Sequence, residues 1–205
     1  MIIIDTEYTT WPGALENGWS SPGQHREIVQ IAAIRVDEDF NEVEHFDLIV
    51  RPSINPTLSD LFIQLTKISQ ATVDTQGLAF SEALTKLIAF CSTEEIICMN
   101  SDGGVFEENC KLNSIDDFPL RGRFRRLRPL LEKLGIDLIN VSSGDLHKMT
   151  PSPIQGHTHN ALHDVRSMSH WLHYAQKSGA FKSVLDLPTD IPVIDPRRAS
   201  SSLKR

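Results

Sequence analysis

Asp5 and Glu7, the distant Asp102, and the run His159-Asn160-Ala161-Leu162-His163-Asp164 gather the side-chain types that hold divalent cations. Asp5-Thr6-Glu7 closes an apolar run, Met1-Ile2-Ile3-Ile4, that reads as a buried strand. Residues two apart on a strand point the same way, so Asp5 and Glu7 project together from the strand's end. Carboxylates held that close repel each other unless a cation sits between them. Hard oxygen ligands of this kind favour Mg²⁺ or Mn²⁺, with water and a substrate phosphate completing the shell. The chemistry served by such a carboxylate cage is phosphodiester hydrolysis. The plain structural alternatives are an exposed acidic pair at a strand end and, for Asp102, an N-cap on a helix over 105–112.

His159 and Asp164 are five residues apart, about 500° around a helix, so they cannot share a strict face. They converge if His159 precedes the first turn and Asp164 lies one turn inside. Asp164 is then a cation ligand, and His159 takes a proton from water. His157, His159 and His163 crowd this stretch, which raises a zinc reading, but no spacing matches HExxH or a Cys/His ligand set.

These groups need a scaffold. Glu27–Val36 and Val43–Arg51 read as a strand pair joined by an acidic turn. Between the first strand and this pair, 11–26 is a long loop carrying Trp11 and Trp19, which either stack bases from a lid or plug a core edge. Pro52 and Pro56 close the sheet edge and lead into a helical stretch. Phe80, Ala83, Leu84, Leu87, Ile88 and Cys91 fall at helical spacing. Glu95–Met99 is a third apolar strand. Helices are predicted over 105–112, over 123–134 with Gly135 as terminator, over 143–148, and from Asn160 to about Ser178. Strands first, then helices with one returning strand, predict a mixed α/β sheet with helices on its faces.

At 205 residues, 40% hydrophobic and 23% charged, the chain fits one domain, placed at 1–180, with a Pro-containing basic tail over 181–205 that is expected to be flexible. No apolar run reaches membrane-span length, and the N-terminus lacks signal-peptide character. Cys91, Cys98 and Cys110 are odd in number and lack CxxC spacing, so buried thiols in a reducing cytoplasm are expected. A net charge of −7 argues against broad coating of nucleic acid, though not against gripping one strand end. Arg121, Arg123, Arg125, Arg126 and Arg128, with Phe124, form either a path for a phosphate backbone or an ordinary solvated helix face.

Ile-Ile-Asp-Thr-Glu at the start and His-Asn-Ala-Leu-His-Asp-Val near the end resemble the DEDD-type 3′–5′ exonucleases of the DEDDh subgroup. The stretches 27–34 and 46–52, Pro56-Thr-Leu-Ser, Gln64-Leu-Thr-Lys-Ile and Val73-Asp74 are similar to the Eri/KapD-like exoribonuclease branch, and the likeness covers about 1–178. It implies an RNase H-like mixed sheet flanked by helices on both faces. It further implies two Mg²⁺ per site, with Mn²⁺ as substitute, on Asp5, Glu7, Asp102 and Asp164. His159 is then the general base, and Thr6, Leu65, Thr66 and Ile68 contact the terminal nucleotide, with plain core packing as the equal alternative for Leu65 and Ile68. The implied partner is a single-stranded RNA or DNA 3′ end, RNA being favoured. A homodimer is left open, and no membrane is involved. In the family an aromatic residue precedes the third acid; here Ser101 stands there, so Asp102 is assigned with Glu107 as the alternative. The competing functions are a DNA proofreading or repair exonuclease and a catalytically silent nucleic-acid-binding protein on the same fold.

Overall fold

The computed structural model of the chain describes residues 1–139, 141–183, 187 and 188. Its centre is a five-stranded sheet in the order β3-β2-β1-β4-β5. The strands are β1 (Ile2–Tyr8), β2 (Ile28–Val36), β3 (Glu42–Ile49), β4 (Ile96–Cys98) and β5 (Phe124–Arg126). β1 pairs antiparallel with β2, and β2 with β3, whereas β4 lies parallel to β1 and β5 parallel to β4. β1 thus stands where the sheet changes sense, with a loop opening beyond its carboxyl end. Clefts form at such places in α/β sheets.

Helices cover both faces. On one, α4 (Phe80–Cys91) and α5 (Asp102–Leu112) bury Phe80, Leu84, Leu87 and Phe106 against Ile2 and Ile4. On the other, α6 (Arg128–Lys133), a 3-10 helix (Ser143–Met149) and α7 (Ala161–Lys177) pack on Ile3, Ile34 and Ile97. Because both faces are covered, β1 has no polar alternation through Ile4, and each of its buried isoleucines contributes about 1.5–3 kcal/mol. The remaining helices are α1 (Ala14–Asn17), a single turn inside the long loop, and α2 (Asp60–Thr66) and α3 (Gln70–Gln76). The latter two are capped by Ser59 and Ser69 and close a small third core with Val29.

The alternation along β1 decides which side chain meets which helix. Ile3, Asp5 and Glu7 face α7, whereas Ile4 and Thr6 face α5. α7 starts at an Asn160 cap whose Oδ1 accepts from the His163 N–H at 3.1 Å. Its buried stripe, Ala161, Val165, Met168, Leu172 and Ala175, lies on the sheet, and Asp164 falls within that stripe.

The predicted helix over 123–134 is instead two elements. Phe124 pairs with Ile96 at the sheet edge, and the helix starts only at Arg128, with Pro129 in its first turn. The sheet therefore has two returning strands, where the sequence predicts one. α5 begins at Asp102, three residues before its predicted start, and Ser101 rather than Asp102 occupies the cap position. Of the predicted tail, 184–186 and 189–205 lie outside the described residues. Phe181 packs edge-on against Phe40 and Leu187 is buried in the α7-side core, so packing continues past residue 180.

Candidate active site

A cleft of about 440 Å³ opens beyond β1, and Asp5, Glu7, Asp102, His159 and Asp164 all line it. One carboxylate oxygen from each of Asp5, Glu7 and Asp164 lies within 4.8 Å of the others; among the described residues no other set of three metal-capable side chains is assembled. Asp164 is only 2% exposed and Asp5 8%. Burial, then the charges of Asp164, Asp102 and Glu7, raises the Asp5 carboxyl well above the usual range. Burial and the Asp164 and Asp102 charges push Glu7 to about 8. Burial pushes Asp164 to about 7 against hydrogen bonds from the Ser143 hydroxyl and the His159 amide.

Three acids in this state are short of positive charge. Asp164 Oδ2 accepts from Ser143 Oγ at 3.2 Å and from the His159 N–H at 3.4 Å, while Oδ1 has no hydrogen-bond partner among the described residues. A buried carboxylate oxygen without a donor is costly, and a divalent cation supplies what the protein does not. The donor set, all hard oxygen, fits such an ion.

Asp102 reaches the site from the other face of β1. Its Oδ1 accepts from Thr6 Oγ1 at 2.7 Å, a bond that also fixes Thr6 in the cleft. Glu107, the alternative third acid, is ion-paired with Arg121 at 2.8 Å and does not line the cleft. His159 adopts a left-handed φ of 68°, uncommon for a residue with a side chain, which turns the preceding loop into α7. Burial lowers its imidazole pKa, so the ring is neutral and able to accept a proton near pH 7.

Leu65 lines the cleft as expected, but Thr66 and Ile68 do not. Thr66 is buried, donating to Phe62 O at 2.9 Å and accepting from the Ile68 N–H at 3.1 Å. Ile68 packs with Val29, Leu58, Phe62 and Val73. The cause is Lys67, whose φ of 62° ends α2 and turns the next residue inward. Leu61, one helical turn before Leu65, takes the place in the wall. His157 Nε2 donates to Leu65 O at 2.7 Å, linking this wall to the loop that carries His159.

The arginine-rich stretch also has a structural explanation. Arg121, Arg125 and Arg128 pair with Glu107, Glu95 and Glu132, and Arg123 donates to the carbonyls of Cys91, Ser92 and Glu94. None of the five lines the cleft; among the described residues, the arginine that does is Arg26. Its guanidinium is held by Glu108 at 2.7 Å and lies 5.9 Å from the ring centroids of both Tyr8 and Trp19. Trp19 is pinned through its indole N–H to Thr9 O at 3.0 Å. The aromatic side chains of the cleft are therefore Tyr8, Trp11 and Trp19, and the position before Asp102 is left small. Sequence reasoning missed Ser143, Tyr8, Leu61 and Arg26. Only the four-residue spacing of Leu61 and Leu65 offered a signal.

The family model for exonucleases (RNase_T) matches residues 2–169. The chain belongs to this exonuclease family. Over 91 residues it is 36% identical to the 3′-5′ exonuclease eri1 of Schizosaccharomyces pombe, a match covering 44% of this chain and 28% of that protein. Over 130 residues it is 31% identical to the probable 3′-5′ exonuclease KapD of Bacillus subtilis, covering 62% of this chain and 60% of KapD. It thus spans less than two thirds of the length of either relative. The crystal structure of the nuclease domain of 3′hExo, a DEDDh family member bound to rAMP, superposes with a TM-score of 0.74 at 20% identity, covering 93% of this chain and 95% of that chain. The mixed sheet with helices on both faces is the RNase H-like fold of these neighbours. The DEDDh, Eri/KapD-like resemblance seen in the motifs agrees with them. The exonuclease fold implies dependence on a divalent metal, and the buried acidic cluster is where it would sit. No helix among the described residues is long and apolar enough to cross a membrane.

Proposed function

We propose that this exonuclease removes nucleotides from single-stranded 3′ ends, RNA or short oligonucleotides by preference, and releases nucleoside 5′-monophosphates. The observation that carries the reading is the juxtaposition of three charge-starved carboxylates, two buried and one half-buried, with a neutral imidazole in one cleft. Asp5, Glu7, Asp102 and Asp164 would hold the divalent cations. Two Mg²⁺ fit an all-oxygen donor set, and Mn²⁺ would substitute. When bound, the cations supply charge stabilisation for the attacking and leaving oxygens.

The chain's own residues do the rest. His159 accepts the proton of the attacking water, its depressed pKa keeping it free to do so. Asp102 holds Thr6 through their hydrogen bond and so shapes the floor on which the last nucleotide lies. Leu61 and Leu65 form an apolar wall suited to a base, and the Tyr8–Trp19 pair with Arg26 offers an aromatic and cationic surface in the same cleft. The preference for RNA is supported by the motif likeness to the Eri/KapD branch and by the rAMP held by 3′hExo. We assign the catalytic unit to one domain over residues 1–180, to which Phe181 and Leu187 add packing, with the basic segment after them as an appendage. A reducing, cytoplasmic setting is supported by three buried cysteines that form no disulfide.

The test is cleavage of 3′- and 5′-labelled RNA and DNA oligomers with Mg²⁺, Mn²⁺ or EDTA. Stepwise shortening from the 3′ end, lost in EDTA and in Asp5→Ala and His159→Ala, is expected. Faster loss of DNA would move the substrate assignment to a repair or proofreading exonuclease. Activity unchanged in both variants would end the catalytic assignment and favour a silent nucleic-acid-binding protein.

A further inference from the structure

The 3-10 helix over Ser143–Met149 touches the acidic cluster with two consecutive residues, neither of them an acid. Ser143 is 8% exposed, and its hydroxyl donates to Asp164 Oδ2 at 3.2 Å. Gly144 stands against the other oxygen. A Cβ built on Gly144 would lie 2.3 Å from Asp164 Oδ1 and 2.9 Å from Cγ, closer than real Cβ atoms come. Gly144 is not in the left-handed region, so nothing in its backbone asks for glycine. What requires the missing side chain is the room needed by Oδ1, the oxygen left without a hydrogen-bond partner.

The segment is itself fixed to α7. The His147 N–H donates to Ser167 Oγ at 3.0 Å, so residues 143 and 147 sit against residues 164 and 167, one turn matched to one turn. Its start is locked by the reciprocal cap between Ser142 and Asp145, with Lys148 on the Asp145 carboxylate. The whole helix behaves as a jig clamped to the face that presents Asp164.

We propose that Ser143 and Gly144 together are positioning residues for Asp164: the hydroxyl fastens Oδ2, and the bare Cα gives the buried Oδ1 room beside it, so the carboxylate keeps the orientation in which it would hold a divalent cation. This rests on the assignment of Asp164 as a cation ligand. Partners that orient a ligand in this way typically change metal affinity by about 10–100-fold when removed.

The experiment is calorimetric titration of Mn²⁺ into the metal-free full chain, with melting curves on the same samples. Ser143→Ala should weaken Mn²⁺ binding about 10–100-fold, and Ser143→Thr, which keeps the hydroxyl, should recover most of it. Gly144→Ala should weaken binding as well and lower the metal-free melting temperature. That drop should shrink in an Asp164→Ala background, where the carboxylate struck by the new methyl is gone. A helix important only for folding would show the same drop in both backgrounds, and that result overturns the role of Gly144. Wild-type Mn²⁺ affinity in Ser143→Ala overturns the role of Ser143 while leaving the site reading intact. Wild-type affinity in Asp164→Ala removes the site reading itself, and this proposal with it.

Discussion

Glu27 and Asp164 are equally hidden, each 2% exposed, yet their surroundings are opposite. Glu27 Oε1 accepts from the backbone N–H groups of Ser53 and Ile54, and Oε2 from the backbone and side-chain amides of Asn55. Both oxygens are saturated, and the carboxylate pins the 53–55 turn to the start of β2. Among the described residues, Asp164 has donors on one oxygen only and two other acids within ligand distance. A buried acid that the fold fully satisfies is a structural pin. One that the fold leaves wanting is a candidate binding site.

That contrast breaks most visibly under truncation. Asp5→Ala or Asp164→Ala should lower kcat by about a thousand-fold or more with a smaller change in oligonucleotide affinity, because the lost charge stabilisation belongs to the transition state. Steady-state cleavage and equilibrium binding to a labelled oligomer check both halves. His159→Ala should cost about 10²–10⁴ in kcat, the usual range for a positioned general base, with oligonucleotide binding retained.

Replacing each acid by its amide sharpens the comparison, because the signs should differ. Glu27→Gln turns an NH₂ group toward backbone donors and should destabilise by about 2–3 kcal/mol in denaturant unfolding. Asp164→Asn removes a buried charge and should leave metal-free stability unchanged or raised at neutral pH, while activity disappears. Lower stability in Asp164→Asn than in Glu27→Gln would erase the distinction.

A smaller effect follows pH. Glu7 at about 8 and Asp164 at about 7 lie above their ordinary values of 4.5 and 3.8, so the folded chain keeps protons that the unfolded chain has released. Their contribution to stability is complete below about pH 4 and is lost as pH rises through about 7 and 8. Melting temperatures in EDTA should therefore fall on the alkaline side, and Mg²⁺ or Mn²⁺ should restore more there than in acid, by roughly 5 °C or more. An equal metal shift at all pH values would count against the cluster as the binding place.

The parts of the site that rest on strong local patterns were legible in the chain. The apolar run into Asp5, the helical spacing of Phe80–Cys91 and the long helix from about Asn160 each follow from one element's own periodicity or chemistry. β5 was not legible, because three residues are too few for a period and two of them are arginines. Thr66 and Ile68 were misplaced because the turn at Lys67 depends on a left-handed backbone that lysine does not announce. Ser143 and Gly144 have no pattern of their own. Their meaning exists only once α7 is laid beside them.

The contact between His157 and Leu65 couples two jobs that are usually discussed apart. Leu65 stands in the cleft wall and His157 lies two residues from His159, so a guest wide enough to displace the wall would strain the segment that carries the imidazole. We expect a double helix to be turned over more slowly than a single strand for that reason, even where it docks.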